Sequence, residues 1–266
     1  MTVTALILAA GKGTRMNSNT AKVLHPVGGR PMLDYVVRSA RQVSDNVHAV
    51  VGHQSEAVRG AVDGIGFIDQ SEQLGTGHAV MAARDFLRGS GAVLVLPGDV
   101  PLVRGETLQA FIDFHRDGGF SGSVLTASVD DATGYGRVVR DDQGRVSGIV
   151  EHRDADTRVL EIREINSSIY VFDCKRLFDA LERIRPDNAQ GEYYLTDVVG
   201  VFVEGGSRFG AFQVDDATEI LGINSLEELA RVDRLIRGRE PDSGNGASDG
   251  VQSPAAEESA SRSVSG

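Results

Sequence analysis

The sequence predicts an α/β protein with a doubly wound, mostly parallel sheet and an inserted antiparallel β flap. Two observations predict the sheet: short, continuously apolar runs, and segments of helical periodicity that follow them along the chain. Strands that are apolar on both faces are typical of a parallel sheet covered by helices on each side. A polar turn between two short apolar runs in the middle of the chain predicts the flap.

Each apolar run has the length of a strand, and a helical pattern follows it. The strands are predicted at residues 4–10, 47–51 and 92–96. The helical stripes are Leu33, Val36, Val37, Ala40 and Val43, then residues 55–62, and then Leu108, Phe111, Ile112 and His115. The flap is predicted as a hairpin of residues 137–140 and 145–150 around a turn at 141–144. Ligands of such sheets bind beyond the carboxyl ends of the strands, so the segments that follow strands are the candidate sites.

The composition of the chain changes near its C-terminus. Residues 1–240 form the predicted folded domain, which includes a C-terminal helix region at 224–238. Residues 241–266 are rich in Ser, Gly and Ala and contain no aromatic residue. Such a segment cannot bury enough apolar surface to offset its ordering entropy, so we predict a disordered tail. The sequence contains no run of hexapeptide repeats of the kind that builds a β-helix.

Charge and cysteine content exclude several classes of protein. The net charge of −11 argues against a nucleic-acid-binding or anionic membrane-binding surface. The single cysteine, Cys174, excludes an internal disulfide. The first apolar run lacks a basic leader, and no apolar stretch approaches the roughly 20 residues of a membrane span. We therefore expect a cytoplasmic protein with small-molecule substrates and no nucleic-acid or membrane partner.

A glycine-rich loop follows the first predicted strand. Gly11 and Gly13 allow a tight turn that points several backbone N–H groups at one spot, which favours anion binding. Arg15 adds a planar guanidinium, and Lys22 adds a second cation. The spacing matches neither the dinucleotide fingerprint, whose third glycine would fall at Met16, nor a P-loop. An ordinary glycine-rich turn is the alternative, but the pairing of Arg15 with Lys22 favours a phosphate site.

A second polar segment follows in the first half of the chain. Gln70 and Gln73 offer the donors and acceptors that a base edge with an imide N–H between two carbonyls requires. Residues 75–77 are predicted to open a helix over 79–87, with free N–H groups facing the site. The alternative is a polar loop with a threonine cap. His78 is more typical of a helix start than of an acid or base.

Asp99 is a candidate ligand of a cation. It comes directly after a buried strand, between Gly98 and Pro101. Mg²⁺ prefers one or two protein oxygens together with substrate phosphates. Without partner residues, a turn aspartate that caps its own backbone is the simpler interpretation.

Further carboxylates, amides and glycines are of the types that bind hydroxyl-rich sugars. Their spacing does not place them together, and each alone fits a surface or turn position. They are residues 134–137, Glu151, Asn166, residues 190–197 and Asn224.

Taken together, the motifs resemble the uridylyltransferase domain of the bacterial N-acetylglucosamine-1-phosphate uridylyltransferases, within the sugar-nucleotide pyrophosphorylases. The resemblance spans residues 3 to about 238, in order. Its motifs are Leu-Ala-Ala-Gly-Lys-Gly-Thr-Arg-Met (8–16), Lys-Val-Leu-His (22–25), Glu-Gln-Leu-Gly-Thr-Gly-His-Ala (72–79), Gly-Asp-Val-Pro-Leu (98–102), Thr-Gly-Tyr-Gly-Arg (133–137), Ile-Val-Glu-His (149–152), Glu-Ile-Asn (164–166) and Gln-Gly-Glu-Tyr-Tyr-Leu-Thr-Asp (190–197). The first is shared by many nucleotidyltransferases, whereas those at 72–79 and 190–197 are much more specific.

The resemblance implies a Rossmann-like nucleotidyltransferase fold and a role for each matching residue. Arg15 and Lys22 would meet the triphosphate and act in catalysis, and Asp99 with Asn224 would hold Mg²⁺. The uridine would be held by Leu8, Ala9, Ala10, Gly11, Gln70, Gln73, Gly75 and Thr76, and Gly98 would join the substrate-binding residues. The amino sugar would be held by Gly136, Glu151, Asn166, Tyr194 and Thr196.

The implied reaction transfers a uridylyl group from UTP to N-acetylglucosamine 1-phosphate, for peptidoglycan precursor synthesis. Two alternatives stay open: a related nucleotidyltransferase with another sugar or base, and a catalytically silent sugar-nucleotide binder. The joint presence of Arg15, Lys22, Asp99 and Asn224 argues against the silent binder.

The sequence departs from the family pattern in several places. Ser167 and Ser168 follow Asn166, where the family usually has a small residue and then glycine, which bears on amino-sugar specificity. Ala21 and Pro97 replace the usual residues before Lys-Val-Leu-His and Gly-Asp. The family's second domain, a β-helix that acetylates glucosamine 1-phosphate and trimerises the protein, is not found in the sequence. We therefore expect uridylyl transfer without acetyl transfer, and no trimer.

Overall fold

The computed structural model of the chain describes residues 2–11, 13, 16 and 18–239. Its strands are β1 (Val3–Leu8), β2 (Pro26–Val27), β3 (Arg30–Pro31), β4 (Asn46–Val51), β5 (Gly66–Asp69), β6 (Ala92–Pro97), β7 (Gly122–Ser128), β8 (Arg137–Arg140), β9 (Val146–Val150), β10 (Glu164–Asp173) and β11 (Phe209–Gln213). Its helices are α1 (Met32–Arg41), α2 (Ser55–Arg59), α3 (Thr76–Ala82), α4 (Gly105–Gly118), α5 (Thr157–Leu160), α6 (Cys174–Leu181), α7 (Asp197–Glu204) and α8 (Leu226–Arg239).

In the described part of the chain, nine strands form one sheet, and β2 pairs with β3 in a small second sheet. The main path runs β11-β7-β10-β6-β1-β4-β5. β1 lies parallel to both β4 and β6, β4 is parallel to β5, and β7 is parallel to β11. β8 and β9 form the predicted antiparallel hairpin, which joins the sheet where Arg137 pairs with Ile165. The predicted mostly parallel sheet with an antiparallel flap is confirmed.

One strand of the main sheet runs against its neighbours, which the sequence did not predict. β10 is antiparallel to both β6 and β7. Its burial is nearly continuous from Ile165 to Phe172, as in the parallel strands, so the apolar pattern carries no sign of direction.

Helices cover both faces of the sheet, and β6 shows why its sequence is apolar throughout. Leu94 and Leu96 face the core beneath α1 and α4, whereas Val93 and Val95 face the core beneath α3, α6 and α7. Every residue from Ala92 to Leu96 is 0% exposed. A strand enclosed on both sides has no polar face, which is what the run of apolar residues indicated.

A third apolar cluster fastens α8 to the start of the chain. Met16 packs there with Val232 and Ile236 of α8. The backbone N–H of Gly28 donates to Asp233 Oδ1 at 2.8 Å, and a Cβ at Gly28 would lie 2.6 Å from Ile236 Cγ2. This close approach requires glycine at position 28, and it holds the C-terminal helix beside the glycine-rich loop.

Several predicted boundaries shift. β1 ends at Leu8, two residues before the predicted end, because Ala9 and Ala10 leave β6 and bond to the chain around β4. The helix predicted at 55–62 ends at Arg59, and the one predicted at 79–87 runs from Thr76 to Ala82. The predicted tail, residues 241–266, lies outside the described residues, so that domain boundary stays a prediction. Within the described residues, every helix is too short or too polar to cross a bilayer.

Candidate active site

A cavity of about 670 Å³ opens at the carboxyl ends of β1 and β6, beside the flap. Parallel α/β sheets bind their ligands at this edge. Most of the predicted site residues line the cavity: Leu8, Ala9, Ala10, Gly11, Lys22, Gln70, Gln73, Gly75, Thr76, Asp99, Gly136, Glu151, Asn166 and Asn224. The fold therefore brings together polar groups from almost the whole length of the domain.

Gly98 is one of the predicted residues that do not line the cavity. The Gly98 N–H donates to the Leu8 carbonyl at 3.0 Å, and a Cβ at Gly98 would lie 3.0 Å from Val23. Gly98 is thus a close-packing position behind the cavity wall and is not among the residues that line it. Arg15, predicted to act in catalysis, lies outside the described residues.

The ammonium of Lys22 joins the two predicted metal ligands. Lys22 Nζ donates to Asp99 Oδ2, and it donates to Asn224 Oδ1 at 2.7 Å. The Lys22 and Asp99 side chains are only 15% and 19% exposed, so water screens this contact incompletely. The carboxylate that follows β6 and the carboxamide that precedes α8 therefore converge on one positive charge.

Backbone contacts hold both oxygen donors in place. The N–H of Ile223 donates to the Asp99 carbonyl at 3.0 Å, and the N–H of Asn224 donates to Glu228 Oε2 at 2.6 Å. Glu228 Oε2 also accepts from the Ser225 N–H at 2.9 Å, while Ser225 Oγ accepts from the Glu228 N–H at 3.2 Å. This reciprocal pair is a capping box, and it places Asn224 at the start of α8.

The glycine-rich loop approaches Lys22 closely. Gly13 has a φ of +60°, and a Cβ there would lie 2.6 Å from the Lys22 Cβ. Both the backbone conformation and the contact require glycine. The second glycine of the loop therefore serves to bring the predicted anion-binding turn against the lysine.

At one end of the cavity, Gln70 has its amide nitrogen engaged within the protein. Gln70 Nε2 donates to the Gly75 carbonyl at 3.3 Å and contacts His78 Nδ1 at 3.0 Å. Gln73 Nε2 donates to the Gln70 carbonyl at 3.1 Å. With both N–H groups of Gln70 taken up, its Oε1 is the atom left to accept from a ligand, which suits an imide N–H.

The prediction that the N–H groups of residues 75–77 are free to face a ligand is wrong for Gly77. Its N–H donates to the Tyr193 carbonyl at 2.7 Å. The Thr76 hydroxyl is likewise engaged, because it accepts from the Leu195 N–H at 3.0 Å. A Cβ at Gly75 would lie 2.6 Å from the Tyr193 oxygen, so glycine is needed for the approach of two backbones. The segments 72–79 and 190–197 thus hold each other.

At the other end of the cavity, a carboxylate and a carboxamide lie beside Gly136. A Cβ at Gly136 would lie 3.3 Å from Glu151 Oε2, and the Gly136 carbonyl accepts from the Asn166 N–H at 2.9 Å. Burial raises the pKa of Glu151, and Asp154 and Asp197 raise it further, while a hydrogen bond from Thr196 opposes them. Glycine at this position leaves room for a ligand between the two polar side chains.

The predicted sugar contacts Tyr194 and Thr196 are not among the residues that line the cavity. They are only 6% and 4% exposed. The Tyr194 hydroxyl accepts from Gln190 Nε2 at 2.8 Å, and the Thr196 hydroxyl donates to Glu151 Oε1 at 3.3 Å. Thr196 therefore contacts the cavity through Glu151, which lines it.

Comparison with known proteins decides the family. Residues 5–197 match the model of the MobA-like NTP transferase domain. The chain belongs to this family.

Curated relatives of this NTP transferase domain are about half identical to it. It is 48% identical over 239 residues to the protein named Bifunctional protein GlmU of Streptococcus thermophilus (strain ATCC BAA-491 / LMD-9). The matched region covers 88% of the chain and 52% of the relative. It is 49% identical over 242 residues to the protein of the same name from Pelobacter propionicus, covering 89% of the chain and 53% of the relative. The chain therefore spans about half the length of the curated relatives it matches.

Two solved structures share the fold of this domain. A UDP-glucose pyrophosphorylase complexed with UDP-glucose has a TM-score of 0.75 at 16% identity, covering 90% of the chain and 100% of that structure. A putative glucose-1-phosphate thymidylyltransferase from Bacillus anthracis, in complex with a sucrose, has a TM-score of 0.70 at 22% identity, covering 88% and 95%. At these identities the likeness shows the fold alone.

The cavity of this NTP transferase domain also has lining residues that sequence reasoning missed. Ile220, Gly222 and Glu228 are among them. Tyr135 and Glu192 also line the cavity, but they lie in segments 134–137 and 190–197, which the sequence already offered as sugar-binding candidates. Burial raises the pKa of Tyr135, opposed by its hydrogen bond to the Gly222 backbone, so the hydroxyl stays protonated. Glu228 had a signal in the sequence, since Ser225-x-x-Glu228 has the spacing of a capping box. That pattern predicts where α8 begins, but not that the cap supports a site residue.

Proposed function

We propose that the chain transfers a uridylyl group from UTP to N-acetylglucosamine 1-phosphate, forming UDP-N-acetylglucosamine and pyrophosphate. The observation that carries this proposal is the convergence of Lys22, Asp99 and Asn224 at one point of the cavity. The motif resemblance to N-acetylglucosamine-1-phosphate uridylyltransferases and the identity to proteins named Bifunctional protein GlmU support the choice of substrates. Such a product would serve the synthesis of cell-wall precursors.

The reaction is a displacement at phosphorus. A phosphate oxygen of the sugar phosphate forms a bond to the α-phosphorus of UTP, and the bond from that phosphorus to the pyrophosphate oxygen breaks. The attacking oxygen is already anionic, so no general base is required. The barrier lies in the repulsion between two anions, and fixed positive charge lowers it. Lys22 is the cation that the described cavity offers for this role, and we assign Arg15 the same role by the motif resemblance.

We propose Mg²⁺ as the cofactor, held by Asp99 and Asn224. The Lys22 ammonium already stands between their oxygens as a cation would, so the donor set fits a divalent ion. Among the described residues no group of three or more His, Cys, Asp or Glu could hold a metal. A site with two protein oxygens would be completed by phosphate and water oxygens, which is the usual arrangement for Mg²⁺. When bound, Mg²⁺ would neutralise charge on the phosphates.

The two ends of the cavity suit the two substrates. Gln70 and Gln73, with residues 8–11, lie at one end and are assigned to the uracil and ribose. Glu151 and Asn166 lie at the flap end and are assigned to the amino sugar. Lys22 lines the same cavity and is assigned to the phosphates of the two substrates.

A substrate panel tests the proposal. Pyrophosphate release is measured with UTP, CTP, ATP and GTP against several sugar 1-phosphates, with Mg²⁺ and with EDTA. We expect fastest release with UTP and N-acetylglucosamine 1-phosphate, and none with EDTA. Preference for another base or sugar would support the related nucleotidyltransferase instead. Tight binding of UDP-sugars with no turnover under any condition would support the silent binder.

A further inference from the structure

Tyr170 lies behind the flap end of the cavity, where none of the motifs assigns it a role. It belongs to β10 and is 1% exposed, stacked on Phe172 with ring centroids 5.3 Å apart. Its hydroxyl donates to Asn166 Oδ1 at 2.9 Å. Burial raises the pKa of Tyr170 well above its ordinary value, so the phenol keeps its proton and remains a donor. A buried tyrosine hydroxyl usually has such a partner, but here the partner lines the site.

The carboxamide oxygen of Asn166 accepts a second hydrogen bond. The backbone N–H of Ser168 donates to Asn166 Oδ1 at 2.8 Å. Rotating the carboxamide by half a turn would set its NH₂ against the Ser168 N–H, which can only donate, and would leave that N–H without an acceptor, which is unfavourable. The oxygen is therefore directed into the protein, and the NH₂ is the group that Asn166 presents to the cavity it lines.

A bulge in β10 makes this arrangement possible. Asn166 pairs with Thr126, and Tyr170 pairs with Val124. An advance of four residues along β10 therefore corresponds to an advance of two residues along β7, and the extra residues of β10 form the bulge. Ser168 lies at the bulge with a φ of +62°, a left-handed conformation that is costly for a residue other than glycine. The bulge brings the Ser168 N–H and the Tyr170 hydroxyl to one oxygen atom.

The hydroxyl of Ser167 fixes the bulge. It donates to the Leu125 carbonyl at 2.6 Å and accepts from the Ile169 N–H at 3.0 Å. These bonds replace ladder bonds that the bulge interrupts, so the backbone next to Asn166 has a defined conformation.

We propose that Tyr170 is a positioning residue, which with the Ser168 N–H locks the Asn166 carboxamide so that its NH₂ donates to an acceptor oxygen of the sugar phosphate. This rests on the proposed function, and it specifies the chemistry of that end of the cavity. Asn166 supplies donors, whereas Glu151 nearby supplies acceptor oxygens when ionised. A hydroxyl or carbonyl oxygen on the sugar fits the Asn166 side.

Tyr170→Phe tests the proposal, because it removes the hydroxyl and keeps the ring. Loss of one hydrogen bond predicts a rise of about five- to tenfold in the KM for N-acetylglucosamine 1-phosphate, with the KM for UTP unchanged. In the Asn166→Ala background the same change should add nothing, because there is no carboxamide left to orient. Equal effects of Tyr170→Phe in both backgrounds would overturn the proposal.

Asn166→Asp gives an independent test of the orientation. It keeps an oxygen for Tyr170 and Ser168 and replaces the amino group alone. We expect it to lose sugar-phosphate binding as fully as Asn166→Ala; a wild-type KM would overturn the proposal. Tyr35→Phe is the matched control, since it deletes a tyrosine hydroxyl that donates to the Val27 carbonyl at 3.1 Å, away from the cavity. Thermal melts confirm that each variant is folded.

The same experiments separate this inference from the proposed function. If the wild-type chain releases no pyrophosphate from UTP with N-acetylglucosamine 1-phosphate, the proposed function fails. If the wild type is active and Tyr170→Phe leaves the KM for the sugar phosphate unchanged, the positioning role alone fails.

Discussion

At the scale of single residues, the side chains of the site are oriented by the protein before a ligand arrives. Gln70 has both amide N–H groups engaged, Asn166 has its carboxamide oxygen engaged, and Lys22 bonds to two oxygens at once. The remaining polar atoms of these side chains are therefore held in a fixed orientation. Orientation before binding lowers the entropy that a ligand must overcome.

Lys22→Met should have opposite effects on two ligands. The variant removes the ammonium that bonds to the oxygens of Asp99 and Asn224. We therefore expect Mn²⁺, added without nucleotide, to bind the variant more tightly than the wild type. It also removes a cation from the phosphate site, so UTP should bind about tenfold more weakly or worse. Electron paramagnetic resonance of free Mn²⁺ and calorimetry with UTP measure the two affinities.

Lys175→Met is the control for this prediction, because Lys175 is an exposed lysine on α6. It should change neither affinity. Unchanged or weaker Mn²⁺ binding in Lys22→Met would contradict the view that Lys22 occupies the cation position.

Asp197 makes the stability of the domain depend on pH. Burial raises the pKa of its carboxyl to about 6, and Asp154 acts in the same direction. The stabilisation of the folded state by the protonated Asp197 carboxyl is complete below the unfolded-state pKa of about 4. It is lost as the pH rises through the folded-state pKa. We therefore expect Asp197→Asn to melt at a higher temperature than the wild type near pH 8, with the difference shrinking toward about pH 4.

Calorimetric melts across this pH range measure the effect. Asp130→Asn, at a side chain that is 99% exposed, is the control for the loss of one charge. A melting difference for Asp197→Asn that is the same at both ends of the range would show that ionisation of this carboxyl does not affect stability.

Residue types were predictable from the sequence, but their partnerships were not. Asp99 could be proposed as a metal ligand from its place after a strand, yet on its own it fitted a turn equally well. Its partner Asn224 follows a long stretch of chain, and no local pattern joins the two. The role of Tyr170 depends on a bulge that places it beside Asn166, which neither strand periodicity nor the motifs revealed.

At the scale of elements, two loop segments form one unit. The start of α3 and the segment before α7 exchange backbone and side-chain hydrogen bonds, through Gly77, Tyr193 and Leu195. Leu195 in this unit is followed by Thr196, whose hydroxyl donates to Glu151 at the other end of the cavity. The two ends of the cavity are therefore connected through this unit.

Gly75→Ala should weaken the contact between these two segments. Gly75 has a φ of +108°, and the added Cβ would lie 2.6 Å from the Tyr193 oxygen. We expect a loss of about 1–3 kcal/mol in the free energy of unfolding from backbone strain alone. Denaturant titration measures it, together with a higher KM for UTP.

Gly200→Ala is the matched control in α7, where a Cβ meets no atom within 4 Å. It should stabilise the domain by up to about 1 kcal/mol, because alanine has the higher helix propensity. If both alanine variants behaved alike, close backbone approach at Gly75 would not be the reason for its glycine.

The helices and strands were largely predictable because their buried positions recur along the sequence at the spacing of a helix or a strand. The flap hairpin followed from its polar turn, and β6 followed from a run of residues that are buried on both faces. The direction of β10 was not predictable, because a strand enclosed on both faces has the same composition whichever way it runs. The helix boundary at α3 was wrong because tertiary contacts with Tyr193 extend the helix to Thr76.

At the scale of the whole molecule, the site combines residues that follow the first strand with a residue that precedes α8. The apolar cluster around Met16, Val232 and Ile236 fastens α8 beside the glycine-rich loop. The capping box at the start of α8 then presents Asn224 to Lys22 and Asp99. The site therefore requires both ends of the folded domain, and removal of α8 should abolish it.

The Mg²⁺ dependence of pyrophosphate release tests the central claim most directly. The rate with UTP and N-acetylglucosamine 1-phosphate is measured against Mg²⁺ concentration for the wild type, Asp99→Asn, Asn224→Ala and the double variant. Because both side chains are assigned to one ion, each single change should raise the Mg²⁺ concentration for half-maximal rate by about tenfold or more, and the double change should add less than the sum. Wild-type Mg²⁺ dependence in Asp99→Asn, or fully additive effects in the double variant, would contradict a shared metal site.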